Sequence, residues 1–408
     1  MKRLVWYEYR KLWNHVSVIA VLAMAVIAML YTYIYMNIQR RTITADGQII
    51  SGLPSYRALK DESEELEGVM DGEYLKRLKE SYDSSFDKKY LAEHSGFLGT
   101  AGMSKYCVPN YCVNFAYYSF WMTNGNDKMS LDYDFLDSEE HFYEKFKEAV
   151  RDYCLFYNQY ERLKYTDAQL KVLDKKIAGI KTPFKAAYYE GLGLLLSFHD
   201  QSYLLFLIAL CFALAGTYAK DSRSGISELT LSAKKGRKSD FRARWAAGNL
   251  FAVTVYLIYV LLLTAEIGAA ATLHGWSVSA HIGWPRTLLN VSMGTGVLLR
   301  LGGGLLTALT IANFILLLSC RLRNRKAACA AAVLAVYWLN RYTGFWASHD
   351  QLKLLSPMKF YSNSVMLDFI FVGNTIVPYC VIAVILAIVY LAVLCLLMRG
   401  SYKKFWIH

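Results

Sequence analysis

Long apolar runs alternate with short polar segments along most of this chain. A bilayer core about 30 Å thick is crossed by roughly 20 apolar helical residues. The apolar runs predict six membrane-spanning helices, at residues 16–36, 201–219, 245–273, 296–320, 327–346 and 375–398. The second run can also be entered earlier, through Leu192–Phe198, and Asn340 and Arg341 interrupt the fifth. The predicted fold class is an all-α polytopic membrane protein with six transmembrane helices.

The segments between the runs are of two kinds. Residues 37–200 form one long polar stretch, large enough for a folded domain. Residues 274–295 and 347–374 are shorter polar segments that we expect on the same side of the membrane. The other segments are short and basic, and they are residues 1–15, 220–244, 321–326 and 399–408.

The charge distribution predicts the orientation. The net charge is +12, yet residues 37–200 carry 21 Lys and Arg against 26 Asp and Glu. The four basic segments carry 19 Lys and Arg against 4 Asp and Glu. Since basic loops stay in the cytoplasm, we expect a multi-pass plasma-membrane protein with both termini cytoplasmic and an extracellular domain at 37–200. The positive charge then needs no nucleic acid, although part of it can meet anionic lipid headgroups.

The extracellular domain is predicted to be mainly helical. Apolar residues recur every three or four positions in several stretches, as expected for amphipathic helices. Thr166-x-x-Gln169 resembles a capping box, and proline is accepted in the first turn of a helix. The predicted helices are Ala58–Glu80 with interruptions at Gly68 and Gly72, Asp137–Lys164 capped by Asp137, Thr166–Ile177, and one starting at Thr182-Pro183. Residues 96–126 fit either short strands or a helix on the membrane surface.

Two basic segments have alternative interpretations. Residues 1–15 form an amphipathic cytoplasmic helix, which either anchors the chain at the membrane surface or also contacts a partner. Residues 220–244 either only fix the topology through their charge or dock a cytoplasmic partner.

Two ionisable residues within the predicted spans, besides Arg341, are Glu266 and Arg300. A charged side chain at that depth is costly unless it is paired or faces a cavity. Glu266 is therefore either functional or exposed at the interface near the end of its span. The run Gly302–Gly304 favours close helix packing. In the extracellular domain, Cys107 and Cys112 are the nearest pair for a disulfide, and free thiols are the alternative.

No catalytic motif is present. The chain has no P-loop, no H-E-x-x-H and no G-x-S-x-G sequence, and its histidines have no metal-ligand spacing. We therefore predict that it is not an enzyme and binds no cofactor or metal of its own. A six-span protein without an energy source needs a partner if it transports anything.

The layout resembles the permease subunit of type-2 ATP-binding-cassette (ABC) exporters of Gram-positive bacteria. The resemblance rests on WYEYRKLW at the N-terminus, on LTLSAKKGR (Leu229–Arg237) after the second span, and on LLSPMKFY (Leu354–Tyr361) before the last one. It extends over the whole chain in layout but over about 40 residues in motif. The large extracellular domain departs from the minimal members of the family.

The resemblance implies that residues 226–237 dock into a separate ABC ATPase subunit, which binds ATP and magnesium. The implied coupling residues are Ile226, Glu228, Leu229, Ser232, Gly236, Arg237, Glu8 and Arg10. It also implies a second permease, either an identical copy or a homologue.

Two function classes follow. The first is an ATP-driven exporter of a hydrophobic or amphipathic compound, such as an antimicrobial peptide or a lipid-like molecule. The second is a non-transporting membrane sensor or scaffold whose extracellular domain binds a ligand. A membrane enzyme acting on lipid is the least supported class, because no catalytic constellation is present.

Overall fold

The computed structural model describes residues 1–38, 41–43, 49–64, 67–85, 134–160, 165–219, 236–322, 324–345 and 354–404. These residues are mostly helical, with a few short strands. Five helices are long and apolar enough to cross a membrane. The predicted class of a mostly helical, membrane-compatible protein is confirmed at this level. The predicted count of six spans is not, and it stays a prediction.

The helices and strands follow one another in a simple order. The helices are α1 (Lys2–Leu12), α2 (His15–Ile38), α3 (Leu53–Glu64), α4 (Gly72–Ser85), α5 (Glu139–Tyr160), α6 (Asp167–Ala178), α7 (Glu190–Leu214), α8 (Gly236–Ala271), α9 (Ala280–Gly283), α10 (Met293–Leu322), α11 (Arg325–Phe345), α12 (Ser364–Leu367) and α13 (Tyr379–Lys404). The strands are β1 (Arg41–Ile43), β2 (Ile49–Ser51), β3 (Gly68–Val69), β4 (Lys185–Ala186), β5 (Phe369–Val372) and β6 (Thr375–Pro378). They form three antiparallel pairs, β1 with β2, β3 with β4 and β5 with β6.

The five helices that qualify as membrane spans are α2, α7, α8, α10 and α13. The most apolar windows of α7 and α10 are each 61% buried, against 28% for α2 and 11% for α13. Helices α7 and α10 therefore form the centre of the bundle, with α8 packed against both. α2 packs on α7 and α8, and α13 packs on α10. The exposed side chains of α2 and α13 are large and apolar, as expected for surfaces that face lipid.

Helix α7 begins at Glu190, earlier than the predicted start of the second span at residue 201. The predicted boundary of the extracellular domain at residue 200 therefore lies inside this helix. The polar residues His199 and Asp200 interrupt the apolar run, which is why the sequence favours a later start. In the structure both side chains bind residues of neighbouring helices, so the helix continues through them.

The predicted fifth span corresponds to α11, which is helical but is not among the five apolar helices. Arg325 and Lys326 at its start and Asn340 and Arg341 near its end lower its hydropathy. The last span also differs slightly from the prediction. Its helix begins at Tyr379, because residues 375–378 pair with β5 as strand β6.

The described residues between positions 41 and 189 form a polar domain at one end of the bundle. Its core contains Tyr56, Leu75, Leu78, Phe142 and Phe146, each no more than 1% exposed. The predicted interruptions are confirmed, since β3 separates α3 from α4. The polar domain thus defines the domain end of the bundle, and α1 defines the opposite end, called here the α1 end.

Two of the predicted helix starts in this domain can be compared with the structure. The capping box of Thr166 and Gln169 is confirmed at the start of α6. At the start of α5, the capping residue is Ser138 instead of Asp137. Its Oγ accepts a hydrogen bond from the backbone N–H of His141 at 3.2 Å, and Asp137 forms an ion pair with Lys79.

The predicted helix at Thr182-Pro183 is wrong. Residues 185–186 instead form β4, which pairs with β3 in the register Gly68↔Ala186. The backbone N–H of Lys185 donates to Ser279 Oγ at 2.9 Å. Long-range pairing therefore overrides the local preference of a proline for the first turn of a helix.

Candidate functional site

Polar and aromatic side chains from three central helices meet near the domain end of the bundle. They contact the docked segment, defined here as residues 354–367, which precedes β5 and lies against α10 and α13. We call this group the Asp200 cluster. Its members are His199, Asp200 and Tyr203 of α7, Tyr256 and Tyr259 of α8, Arg300 of α10, and Tyr361 of the docked segment.

An ion pair lies at the centre of the Asp200 cluster. Arg300 Nη2 is 2.5 Å from Asp200 Oδ2, and the two side chains are 4% and 32% exposed. Arg300 also donates to the carbonyl oxygen of Tyr361 from Nε at 3.2 Å and from Nη2 at 3.0 Å. A buried ion pair is tolerated when further hydrogen bonds satisfy the charged groups. Arg300 therefore links α7 to the docked segment.

His199 lies beside this ion pair and is 1% exposed. Its Nε2 is 3.1 Å from the hydroxyl of Tyr256, and that hydroxyl donates to the carbonyl oxygen of Leu301 at 2.6 Å. Its Nδ1 faces Asp200 Oδ1 at 3.6 Å, which is longer than a hydrogen bond. His199 thus joins α7 to α8 on one side and faces the carboxylate on the other.

The remaining tyrosines surround the histidine. Tyr259 donates to the carbonyl oxygen of His199 at 2.9 Å, and Tyr203 donates to the carbonyl oxygen of Gly304 at 2.5 Å. The rings of Tyr203 and Tyr361 lie 4.2 Å apart. Burial raises the pKa of Tyr361 above its ordinary value, so its hydroxyl stays neutral. The phenols therefore add hydrogen bonds and ring contacts to the cluster but no charge.

The glycine run of α10 shapes this contact. A Cβ at Gly303 would overlap the carbonyl oxygen of Phe360, and a Cβ at Gly304 would overlap the hydroxyl of Tyr256. A Cβ at Gly302 would meet nothing within 4 Å. The predicted close packing is confirmed at residues 303 and 304, where the neighbours are the docked segment and α8.

Chemically, the Asp200 cluster can hold charge and protons in a place that water reaches poorly. Its one carboxylate is paired with its one guanidinium, and one imidazole lies beside that pair. Among the described residues, no group of His, Cys, Asp and Glu side chains has the geometry of a metal site. The arrangement connects three helices and the docked segment through one charged centre.

A second polar group lies at the α1 end, and we call it the Arg244 junction. Arg244 Nε is 3.0 Å from Asp240 Oδ1 and 4.0 Å from Glu8 Oε2, and its Nη1 donates to the carbonyl oxygen of Thr217 at 3.1 Å. The hydroxyl of Tyr402 donates to Asp240 Oδ2 at 2.7 Å. Arg244 and Asp240 of α8 therefore together contact α1, the residues that follow α7, and α13.

Helix α1 packs along α8. Its Tyr9 donates to Thr254 Oγ1 at 3.2 Å, and the ring of Trp13 lies 4.9 Å from that of Phe251. Leu12 and Glu8 are buried, whereas Trp6 and Tyr7 are each 58% exposed. The predicted amphipathic helix is therefore confirmed, and its buried face rests on α8.

Both ends of segment 220–235, which lies outside the described residues, are held by the bundle. Before it, the backbone N–H groups of Tyr218 and Ala219 donate to Ser319 Oγ at 3.0 and 3.3 Å. After it, α8 begins at Gly236 and enters the Arg244 junction within its first turns.

The predicted site residues are placed as follows. Glu8 is buried and forms an ion pair with Lys11 at 2.9 Å, while Arg10 is exposed. Gly236 and Arg237 form the first turn of α8. The residues that lie outside the described part of the chain are Ile226, Glu228, Leu229, Ser232, Cys107 and Cys112.

The two predicted intramembrane residues belong to different surroundings. Arg300 pairs with Asp200, as described. Glu266 lies in the last turns of α8 and is half-buried, and its Oε2 has no hydrogen-bond partner among the described residues. The structure therefore does not pair the two.

Most residues of the Asp200 cluster were not predicted from the sequence. His199 and Asp200 lie between the apolar residues Leu192 and Phe206, and that position inside an apolar run was the available signal. This signal was not used, because the predicted span boundary at residue 200 assigned Asp200 to the polar domain. The pairing of Tyr256 and Tyr259 with His199 has no signal in the sequence, since it depends on how α7 and α8 pack.

Comparison with known proteins adds no assignment. No protein-family model matches the chain, and neither a curated protein nor a solved structure matches it. The function is therefore argued from the two polar groups and from the layout of the helices.

Proposed function

We propose that this chain is the permease subunit of an ATP-driven ABC exporter, located in the plasma membrane with both termini in the cytoplasm. The observation that carries the proposal is the Arg244 junction. It fixes α1, α7, α8 and α13 to one another directly beside the segment that resembles the coupling element of such permeases. A force applied to that segment would be transmitted to four helices together.

The anchoring of both ends of segment 220–235 supports this assignment. Ser319 of α10 holds the end of α7, and Asp240 and Arg244 hold the start of α8. A coupling element needs fixed ends, because a segment on free ends would absorb the motion of its partner. A loop that served only to retain positive charge in the cytoplasm would need no such contacts.

A continuous helix can transmit movement between the two polar groups. From Arg244 to Tyr256, α8 runs without interruption, which at 1.5 Å per residue is about 18 Å. It thereby connects the Arg244 junction with the Asp200 cluster. Movement at the α1 end would reach the docked segment through Arg300 and Tyr361. In this proposal α11 is the sixth span, beside α7 and α10.

The polar domain suggests the class of compound transported. It is fastened to the neighbouring connections, because Asn290 Nδ2 donates to the carbonyl oxygen of Gly179 at 2.8 Å and Gln169 Nε2 to that of Gly373 at 2.9 Å. A domain fixed to the ends of the spans can respond to a compound leaving the bundle. We propose a hydrophobic or amphipathic cargo, such as an antimicrobial peptide or a lipid-like molecule.

Co-purification tests the proposal. The chain is expressed with the ABC ATPase encoded beside it, extracted in mild detergent, and analysed for subunit ratio and ATP turnover. We expect a stable complex with equal numbers of permease and ATPase subunits and with vanadate-sensitive turnover. An ATPase lacking its phosphate-binding lysine is the control for turnover. A chain that purifies alone would contradict the proposal.

A membrane sensor is the second candidate function. The observation that favours it is the pair of hydrogen bonds between the polar domain and the segments that join the spans. Ligand binding to the polar domain would change the bundle through these contacts. A sensor needs no stoichiometric ATPase. The co-purification experiment therefore separates the two functions.

A further inference from the structure

The hydrogen atoms around His199 can be assigned by counting donors. A phenol has one hydrogen, and a backbone carbonyl only accepts. Since Tyr256 donates its hydrogen to the carbonyl oxygen of Leu301, it can only accept from His199. The hydrogen between them must therefore sit on Nε2 of His199.

This assignment leaves the other ring nitrogen without a hydrogen in the neutral imidazole. Nδ1 of His199 then presents a lone pair to Oδ1 of Asp200 at 3.6 Å. Oδ1 is buried and has no hydrogen-bond partner among the described residues, while Oδ2 is held by Arg300. Two acceptors thus face each other, which is unfavourable because a buried acceptor without a donor has lost its hydrogen bond to water.

We propose that His199 Nδ1 and Asp200 Oδ1 form a proton-binding site. On uptake, an N–H bond forms at Nδ1 and the imidazole becomes an imidazolium, and the ring and the carboxylate then approach from 3.6 Å so that Nδ1 donates to Oδ1. The proton comes from the bulk solvent, and Asp200, whose side chain is 32% exposed, is the member of the pair nearer the protein surface. Nothing else in the cluster needs to change its hydrogen-bond partner.

Charged and titratable groups face His199 from each element that packs against it. They are Asp200 and Tyr203 on α7, Tyr256 and Tyr259 on α8, Arg300 on α10, and Tyr361 on the docked segment. With neutral phenols, the charges of Asp200 and Arg300 balance. An added proton therefore gives the cluster one net positive charge.

The added charge acts on the contact between α10 and the docked segment. Asp200 is shared between the imidazolium and Arg300 once the proton is bound, and Arg300 is the residue that holds the carbonyl oxygen of Tyr361. The proposed consequence is that the docked segment responds to acidification on the domain side. This inference goes beyond the proposed transport function and does not depend on an ATPase.

Nuclear magnetic resonance of the histidine nitrogens tests the proposal on the full chain alone. The protein is labelled with ¹⁵N-histidine, placed in lipid nanodiscs and measured between pH 8 and pH 5. The signals missing in His199→Gln identify His199. We expect a neutral ring with its hydrogen on Nε2 at pH 8, and hydrogens on both nitrogens at pH 5. A hydrogen on Nδ1 at pH 8, or a ring that stays neutral at pH 5, would overturn the proposal.

Two variants sharpen the test. In Asp200→Asn the amide can donate to Nδ1, so we expect His199 to stop titrating between pH 8 and pH 5. Titration that persists in this variant would also overturn the proposal. His274→Gln is the control, because His274 is half-exposed, lies 3.2 Å from Glu67 and should leave the His199 signals unchanged. If Asp200→Asn does not fold, the wild-type tautomer at pH 8 still decides the question.

Discussion

The carbonyl oxygen of Phe360 lies so close to Gly303 that no side chain fits between them. Phe360 belongs to the docked segment and Gly303 to the centre of α10, so the backbones of the two elements touch. The hydroxyl of Thr307, one turn further along α10, donates to the carbonyl oxygen of Pro357 at 2.7 Å. The docked segment is therefore seated on α10 by backbone contacts.

Replacing Gly303 with alanine should push the docked segment off α10. We expect a loss of about 1–3 kcal/mol in stability, the usual cost of overpacking a tight contact, and a lower midpoint of thermal unfolding in detergent. Gly302→Ala is the matched control, because its Cβ would meet nothing within 4 Å. That variant should be neutral or stabilised by up to about 1 kcal/mol, since alanine favours the helix. Equal effects of the two substitutions would contradict the assigned contact.

The ion pair between Asp200 and Arg300 should show strong coupling in a double-mutant cycle. Arg300→Met alone leaves the carboxylate without its partner, and we expect a loss of roughly 2–3 kcal/mol, at or below the lower end of the range for buried pairs because Asp200 is partly exposed. Adding Asp200→Leu should recover much of that loss. Thermal unfolding of the two single variants and the double variant measures the coupling. Losses that simply add would mean that the pair does not interact.

His281 should make the protein less stable in acid. It is 2% exposed, its ring stacks on that of Phe184 at 4.9 Å, and burial lowers its pKa from 6.5 to about 4. Below pH 6.5 the unfolded chain binds a proton that the folded protein does not take up until about pH 4. The free energy of unfolding is therefore unaffected by His281 protonation above pH 6.5. As the pH falls towards 4, proton binding by the unfolded chain lowers this free energy by up to roughly 3 kcal/mol.

The measurement for His281 is the midpoint of thermal unfolding between pH 7.5 and pH 4.5. His281→Phe keeps an aromatic ring against Phe184 but cannot take up a proton. We expect this variant to lose some stability at pH 7.5, because a larger ring must fit into the space of a buried imidazole. Its stability should fall less steeply in acid than that of the wild type. Parallel curves for the two proteins would assign the acid sensitivity to other groups.

The proposed coupling segment can be tested by Gly236→Pro combined with Arg237→Glu. The two residues begin α8, next to the Arg244 junction. We expect normal membrane insertion but no stimulation of the ATPase and no transport, because the connection between partner and helices is changed. Arg399→Glu, an exposed charge reversal near the end of α13, is the control and should retain activity. Full stimulation in the Gly236 and Arg237 double variant would remove the coupling assignment.

The sequence determined the elements whose signal is local. Apolar runs of membrane length can be read directly because each helix satisfies its own backbone hydrogen bonds. The capping box at Thr166 and the amphipathic face of α1 are local for the same reason. These elements appear in the structure close to the predicted positions.

The tertiary structure decided where polar residues interrupt a helix and where they do not. In the sequence, His199 and Asp200 indicate the end of a polar domain. In the structure, α7 continues through them because Tyr256 binds His199 and Arg300 binds Asp200. Thr182-Pro183 reads as the start of a helix, yet the next residues pair with β3. In both cases the deciding hydrogen bonds come from residues far away in the sequence, which local patterns do not contain.

The same division applies to the candidate sites. The sequence singled out Arg300 as a charged residue within an apolar run, since a buried charge is costly, and Glu8 was named through the resemblance alone. Only the packing of the helices determined their partners, Asp200 for Arg300 and the Arg244 junction for Glu8. Composition and periodicity thus determine which segments are helices and which charges need partners. The partners themselves are fixed by contacts between helices, whose distances depend on the whole fold.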